Sequence, residues 1–312
     1  MTRIFDAAAT ASLLPYVPLS EAVAKTLARK ASGLVSSPER LSLPLPGGGV
    51  LLVMPAADEH LAVTKLITVC PGNPEKGLPL IVGEVAVMRA DTGERLGVLD
   101  GPEVTARRTA AASLLAAERL APNTDGPLLV VGAGVQALSH AMAFTSGLGV
   151  GEVFVCSRSR TSADALAARL RAAGLVAQSV GRPDEVLDKT PLIVTATTSP
   201  VPVIPANVRQ DAFIAAVGSF SPEQAEIPAE LVRRCCLFVD DLDAAKSEAG
   251  DLLLAGVDWD QVTPLERVPA RLELPGPVVY KAVGCAVLDL AAARLAFGPT
   301  PLGIDSNKIP RI

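Results

Sequence analysis

The sequence predicts an α/β fold in which a doubly wound parallel-sheet domain is joined to an α+β domain. Strand and helix patterns alternate from residue 127 onward. A glycine turn follows the first of those strands and opens a helix. Residues 1–110 carry a helix and then short strand-like runs between turn signals, as an antiparallel domain does. With 312 residues the chain can bury two cores.

In order, Leu19 to about Gly33 reads as a helix, and GVLLVMPA (49–56), TKLITVC (64–70) and LIVGEVAVMRA (80–90) read as strands. The turns are GGG (47–49), PGNPEKG (71–77) and DTGE (91–94). Residues 103–121 are rich in Ala, Leu and Arg and stop before Pro122, which predicts a helix connecting the domains. In the second domain the strands are 127–131, 152–157, 176–180, 191–197, 213–218 and 235–240, with helices at 135–148 and 161–174, the latter ended by Gly174. A last helix, 284–297, closes this domain and returns the tail 298–312 to the first. The expected division is therefore 1–110 with 298–312, and 111–297 including the connecting helices.

Composition excludes several function classes. Hydrophobic residues make up 49% and charged residues 20%, too apolar for a disordered chain. A net charge of −5 and 3% aromatics leave neither a basic field nor stacking platforms for nucleic acid. The five cysteines (70, 156, 235, 236, 285) include no CxxC, and His60 and His140 are the only histidines, so no metal site is expected and the thiols are read as reduced. The N-terminal stretch meets Asp6, Pro15 and Pro18 and lacks the apolar core of a signal peptide, which predicts a cytoplasmic protein. Residues 126–151 carry no Asp, Glu, Lys or Arg, but their six glycines fit a strand, turn and buried helix, not a membrane span.

The turn is Gly132-Ala133-Gly134-Val135-Gln136-Ala137. The first Gly permits a tight turn, the second lets a pyrophosphate approach the backbone, and Ala137 allows close helix packing, as in a Rossmann dinucleotide site. The same string also serves a turn without a ligand. After the second strand the chain reads Ser157-Arg158-Ser159-Arg160, with no carboxylate for a ribose 2′-hydroxyl but groups able to hold a 2′-phosphate. NADPH is thus expected over NADH, with NADH possible, and a solvated basic loop is the plain alternative.

No nucleophile stands with a base in the first domain. Three cations lie in or beside apolar segments: Arg40, Lys65 and Arg108. From the residues alone, Lys65 fits sheet-edge protection as well as a site, and Arg107 or Arg108 fits an ordinary helix-surface charge.

The blocks KLITVCPGNPEKGLP, DTGERLGVLDGPEVTARRTAAAS, VVGAGVQA, VGSFSPEQAEIP and VVYKAVGCAVLDLAAA follow one another in the order of a known family. The sequence resembles the ornithine cyclodeaminase/mu-crystallin family along nearly its whole length. The resemblance implies a substrate and dimerisation domain, a Rossmann domain and a homodimer. It implies that Arg40, Lys65 and Arg108 bind a substrate α-carboxylate, that Gly132, Gly134 and Gln136 lie in the dinucleotide turn, and that Val283 and Gly284 close over the reacting centre.

Where cyclodeaminases of the family place an Asp for the substrate amine, this chain has Phe220, which can only offer an apolar wall; Ser221, Glu223 and Glu226 are nearby in sequence. The GSFSPEQAE form resembles the ketimine reductase branch, which reduces Δ1-pyrroline-2-carboxylate and Δ1-piperideine-2-carboxylate to L-proline and L-pipecolate. The expected activity is that of an NADPH-preferring cyclic imine reductase of amino-acid metabolism. An ornithine cyclodeaminase using NAD, an amino-acid dehydrogenase and a non-catalytic NADPH-dependent ligand binder are the alternatives, and no proton donor is assigned.

Overall fold

The computed structural model describes residues 3–298. The chain opens with β1 (Arg3–Ile4), α1 (Ala7–Leu13) and α2 (Tyr16–Ala31). The strands β2 (Leu41–Leu45), β3 (Gly49–Ala57), β4 (Leu61–Val69), β5 (Ile81–Arg89) and β6 (Arg95–Asp100) follow, and then the long α3 (Gly101–Leu120). Helix α2 starts three residues before the expected Leu19, because Pro18 is tolerated in a first turn. It stops just before Gly33, whose φ of +72° a side chain would resist. Helix α3 is capped by Asp100, which accepts from the Glu103 amide at 2.8 Å.

The first sheet has the order β1-β6-β5-β4-β3-β2, antiparallel except for β1 beside β6. Alternation along β4 sends Leu61, Val63, Lys65 and Ile67 inward and leaves Leu66 40% exposed.

The second half runs β7 (Leu128–Val131), α4 (Val135–Leu148), β8 (Glu152–Cys156), α5 (Arg160–Ala172), β9 (Val176–Ser179), β10 (Leu192–Thr195), β11 (Phe213–Ala216), α6 (Ala229–Val232) and β12 (Cys236–Val239). It finishes with α7 (Leu242–Glu248), α8 (Gly250–Ala255), β13 (Val262–Pro264), β14 (Val278–Lys281) and α9 (Ala286–Phe297). Its sheet is parallel throughout, in the order β13-β12-β14-β11-β10-β7-β8-β9. The sheet has eight strands where the sequence reading marks six. The additions are β13 and β14, and β14 inserts between β11 and β12. Strand β7 is apolar at every position because both faces are covered: Leu128 and Val130 enter one core, Leu129 and Val131 the other. Strand order reverses between β7 and β10, which makes a crevice at their carboxyl ends.

The cores are not separated at the expected boundaries. Helix α3 gives Val104 and Ala111 to the first core, and Ala110, Ala112 and Leu114 to the second. Helix α9, placed by sequence at the close of the second stretch, gives Ala286 and Leu290 to the first core and Val287, Leu288 and Ala291 to the second. Residues 299–312 of the expected returning tail lie outside the described residues. Among the described residues no helix is long and apolar enough to cross a membrane.

Candidate active site

Lys65 points into the interior because its register on β4 matches Leu61, Val63 and Ile67, and it is 1% exposed. Strand β4 lies between β3 and β5, so edge protection does not explain this lysine. Its Nζ stands 3.0–3.1 Å from the two carboxylate oxygens of Asp289 on α9. Burial pulls its pKa down to about 8; the neighbouring Arg108 adds to the fall and Asp289 opposes it.

Arg108 is buried on α3, with Nε 3.3 Å from the same Asp289. Its Nη1 has no hydrogen-bond partner among the described residues. Arg107, one position earlier, turns away: it pairs with Glu103 at 2.6 Å, donates to the Leu14 carbonyl and lies 4.7 Å over the Tyr16 ring. Of the two arginines, Arg108 is thus the one that faces the interior.

The turn after β14 is held from two sides. Asp240, at the end of β12, accepts the Val283 amide at 3.1 Å and the Gly284 amide at 2.7 Å. Arg40 donates Nη2 to the carbonyls of the same two residues at 3.1 and 2.6 Å, and pairs with Glu248 at 2.6 Å. Burial raises the Asp240 pKa against the lowering effect of those amides. Burial likewise lifts Glu248, to about 7, with Arg40 opposing. A cleft of about 500 Å³ opens beside this turn, reached by Arg40, Met54, Glu248, Gly284 and Cys285.

The structure thus brings Arg40, Lys65, Arg108, Val283 and Gly284 into one cluster. Gly132, Ala133, Gly134, Val135, Gln136 and Ala137 lie at the carboxyl end of β7, at the crevice where strand order reverses. A Cβ on Gly132 would stand 2.3 Å from the Ala196 carbonyl oxygen, so glycine lets the chains leaving β7 and β10 pass. Gly134 caps α4 and has no heavy atom within 4 Å of where a Cβ would sit, which leaves room for a pyrophosphate beside the first helical amides. These residues fit a dinucleotide. Ser157 is half-buried after β8, while Arg158 and Ser159 are exposed, and Ser159 caps α5 by accepting from Ser162 at 3.2 Å.

The family model of the ornithine cyclodeaminase/mu-crystallin family matches residues 3–298. The chain belongs to this family.

Among the similar ornithine cyclodeaminase/mu-crystallin proteins, Δ1-pyrroline-2-carboxylate reductase 1 of Burkholderia multivorans is 44% identical over 95% of both chains. The ketimine reductase mu-crystallin of Mus musculus is 35% identical over 95% of this chain and 94% of its own. The structure of Thermococcus litoralis Δ1-pyrroline-2-carboxylate reductase in complex with NADH and L-proline shares the fold, with a TM-score of 0.89 at 24% identity over 95% and 96% of the two chains.

Phe220 is 43% exposed and its ring joins none of the apolar cores. The acids near it in sequence are occupied elsewhere. Glu226 is buried and accepts from the Thr197 and Gly218 amides at 2.7 Å, and Glu223 accepts from Ser221. Sequence reasoning missed a second buried ion pair: Lys281 reaches Asp251 at 2.8 Å and the Ser219 carbonyl at 2.6 Å, while Asp251 accepts the Glu226 and Ile227 amides. This network fixes the loop that carries Phe220. Asp289 and Asp240 were missed as well, although Asp289 is the only charge between Lys281 and Arg294 in an otherwise apolar run.

Proposed function

We propose that this chain is an imine reductase that converts Δ1-pyrroline-2-carboxylate or Δ1-piperideine-2-carboxylate to L-proline or L-pipecolate, preferring NADPH and accepting NADH. The observation that carries the reading is the buried, unpartnered Nη1 of Arg108 beside the buried ammonium of Lys65. A buried donor without an acceptor is costly, so this pair calls for an anionic ligand, and a carboxylate matches its two-pronged geometry. The names of the Burkholderia and mouse relatives support the substrate class, and the Thermococcus relative binds NADH and L-proline.

In this reading Lys65 and Arg108 grip the carboxylate, with Arg40 holding the 283–284 turn against the ring and completing the positive wall. The glycine turn 132–137 holds the pyrophosphate, and Ser157, Arg158 and Ser159 receive the 2′-phosphate. NADPH, when bound, would supply a hydride to the carbon of the protonated imine, whose nitrogen keeps its proton and becomes the ring amine. The protein's share is reach and charge: it orients the C=N bond and keeps the site polarised. Phe220 gives a carbon surface where a cyclodeaminase needs an acid, which sets the reductase above ornithine cyclodeaminase here.

The outer face of the first sheet supports a homodimer. Leu41 and Leu43 on β2, Leu66 on β4 and Val82 on β5 are exposed on one face of the sheet, a patch that a second copy of the chain would cover. The deciding assay follows NADPH oxidation with the two cyclic imines, L-ornithine, and pyruvate plus ammonia. Turnover of an imine is expected. Ammonia release from ornithine by the native protein would overturn the reading.

A further inference from the structure

Asp289 stands between two cations that come from different parts of the fold, Lys65 on β4 and Arg108 on α3. Both its oxygens face Lys65, and it is fully buried near the start of α9, where the helix end favours negative charge. We propose that Asp289 is a positioning residue of the carboxylate clamp, which keeps Lys65 protonated and fixes its Nζ beside Arg108. The inference rests on the reading that Lys65 and Arg108 bind a substrate carboxylate.

The groups that face Lys65 are few. Arg108 from α3 and Arg40 from the segment before β2 both repel its charge, and Asp289 from α9 attracts it. On the flanking strands its register partners are Met54 and Val85, which carry no charge. Among the described residues Asp289 is the acid that pairs with Lys65 itself and so offsets the repulsion of the two guanidinium groups and the dry environment, Arg40 being paired besides with Glu248. Remove its charge, and the ammonium is held by nothing but the ligand it is meant to bind. The unpartnered Nη1 of Arg108 also shows that Asp289 does not saturate the pair: it neutralises part of the charge and leaves a donor for an incoming anion.

The test is Asp289→Asn, with Asp289→Glu as a variant that keeps the charge. The Lys65 resonance in protein labelled with 13Cε-lysine, assigned by its loss in Lys65→Arg, reports the ammonium directly and needs no substrate. In the native protein its midpoint is expected near 8. It should fall by about one pH unit or more in Asp289→Asn and stay near the native value in Asp289→Glu. In parallel, the KM for the imine acid should rise about fivefold or more at pH 8 in Asp289→Asn, as the charged fraction of Lys65 falls from about a half to about a tenth, and far less at pH 6, where Lys65 is still charged. A merely structural defect would raise KM equally at both. Coincident midpoints in native and Asp289→Asn protein, or a native midpoint at the ordinary lysine value, would overturn the proposal. An absence of imine reduction by the native protein would instead defeat the proposed function, while the lysine titration remains readable.

Discussion

A β-carbon on Gly284 would stand 2.9 Å from Nη2 and 3.0 Å from Nη1 of Arg108. The same glycine has φ of +84°, so both its backbone conformation and its closeness to the guanidinium exclude a side chain. Gly284→Ala is expected to push Arg108 out of line with Lys65 and to lower kcat/KM for the imine acid at least about tenfold, roughly 1.4 kcal/mol, as Arg108→Ala would. NADPH affinity, measured by fluorescence titration, should change little. Native-like kinetics in both variants would move the substrate site elsewhere.

Coenzyme choice is expected to rest on Arg158, exposed two residues past β8 and beside the capping Ser159. Arg158→Ala should weaken NADPH by about 1.5–3 kcal/mol, the worth of a charge-assisted hydrogen bond, and NADH far less. Titration of both coenzymes against both proteins checks this, and equal losses would refute it.

His140 supplies a pH dependence of stability. Its ring is buried on α4, with Nδ1 2.8 Å from the Gln136 carbonyl and Nε2 3.0 Å from Ser113 Oγ. A carbonyl can only accept, so Nδ1 carries the proton and Nε2 accepts from Ser113. Burial pulls its pKa from 6.5 down to about 4. The unfolded chain therefore binds a proton that the folded chain refuses, and this contribution, present in full above pH 6.5, is lost as pH falls from 6.5 toward 4. His140→Gln should show a shallower fall of Tm across that window than the native protein in calorimetry.

The pair formed by Lys281 and Asp251 is wholly buried. Lys281→Met would leave the buried Asp251 without its cation and still tied to the Glu226 and Ile227 amides. Breaking such a pair from one side costs about 3–5 kcal/mol. Urea unfolding should register that loss, and a change below about 1 kcal/mol would mean that the cation is dispensable.

What could be read in the sequence was local. The run from Leu128 through the glycine turn to Leu148 is legible because buried strand, turn and helix each leave a pattern within a few residues. Strand β13, three residues long, has no room to show a period. The cations were visible as charges in apolar segments, but their anionic partners were not. Asp289 meets Lys65 across 224 residues, and Asp240 meets Gly284 across 44, so no spacing announces either contact. Phe220 was recognised from its neighbours, and its exposure could only come from the fold.

The two helices α3 and α9, each giving residues to both cores, bear on how such a protein can be re-engineered or can diverge. A coenzyme module spliced in from a distant dehydrogenase would bring its own versions of these helices, and with them replace Arg108 and Asp289. If Arg108 binds the substrate as proposed, recognition of the substrate would be discarded along with the old coenzyme. On that reading inheritance of the two specificities is linked, and a switch between NADPH and NADH would be open to point changes around residues 157–160 but closed to wholesale exchange of halves.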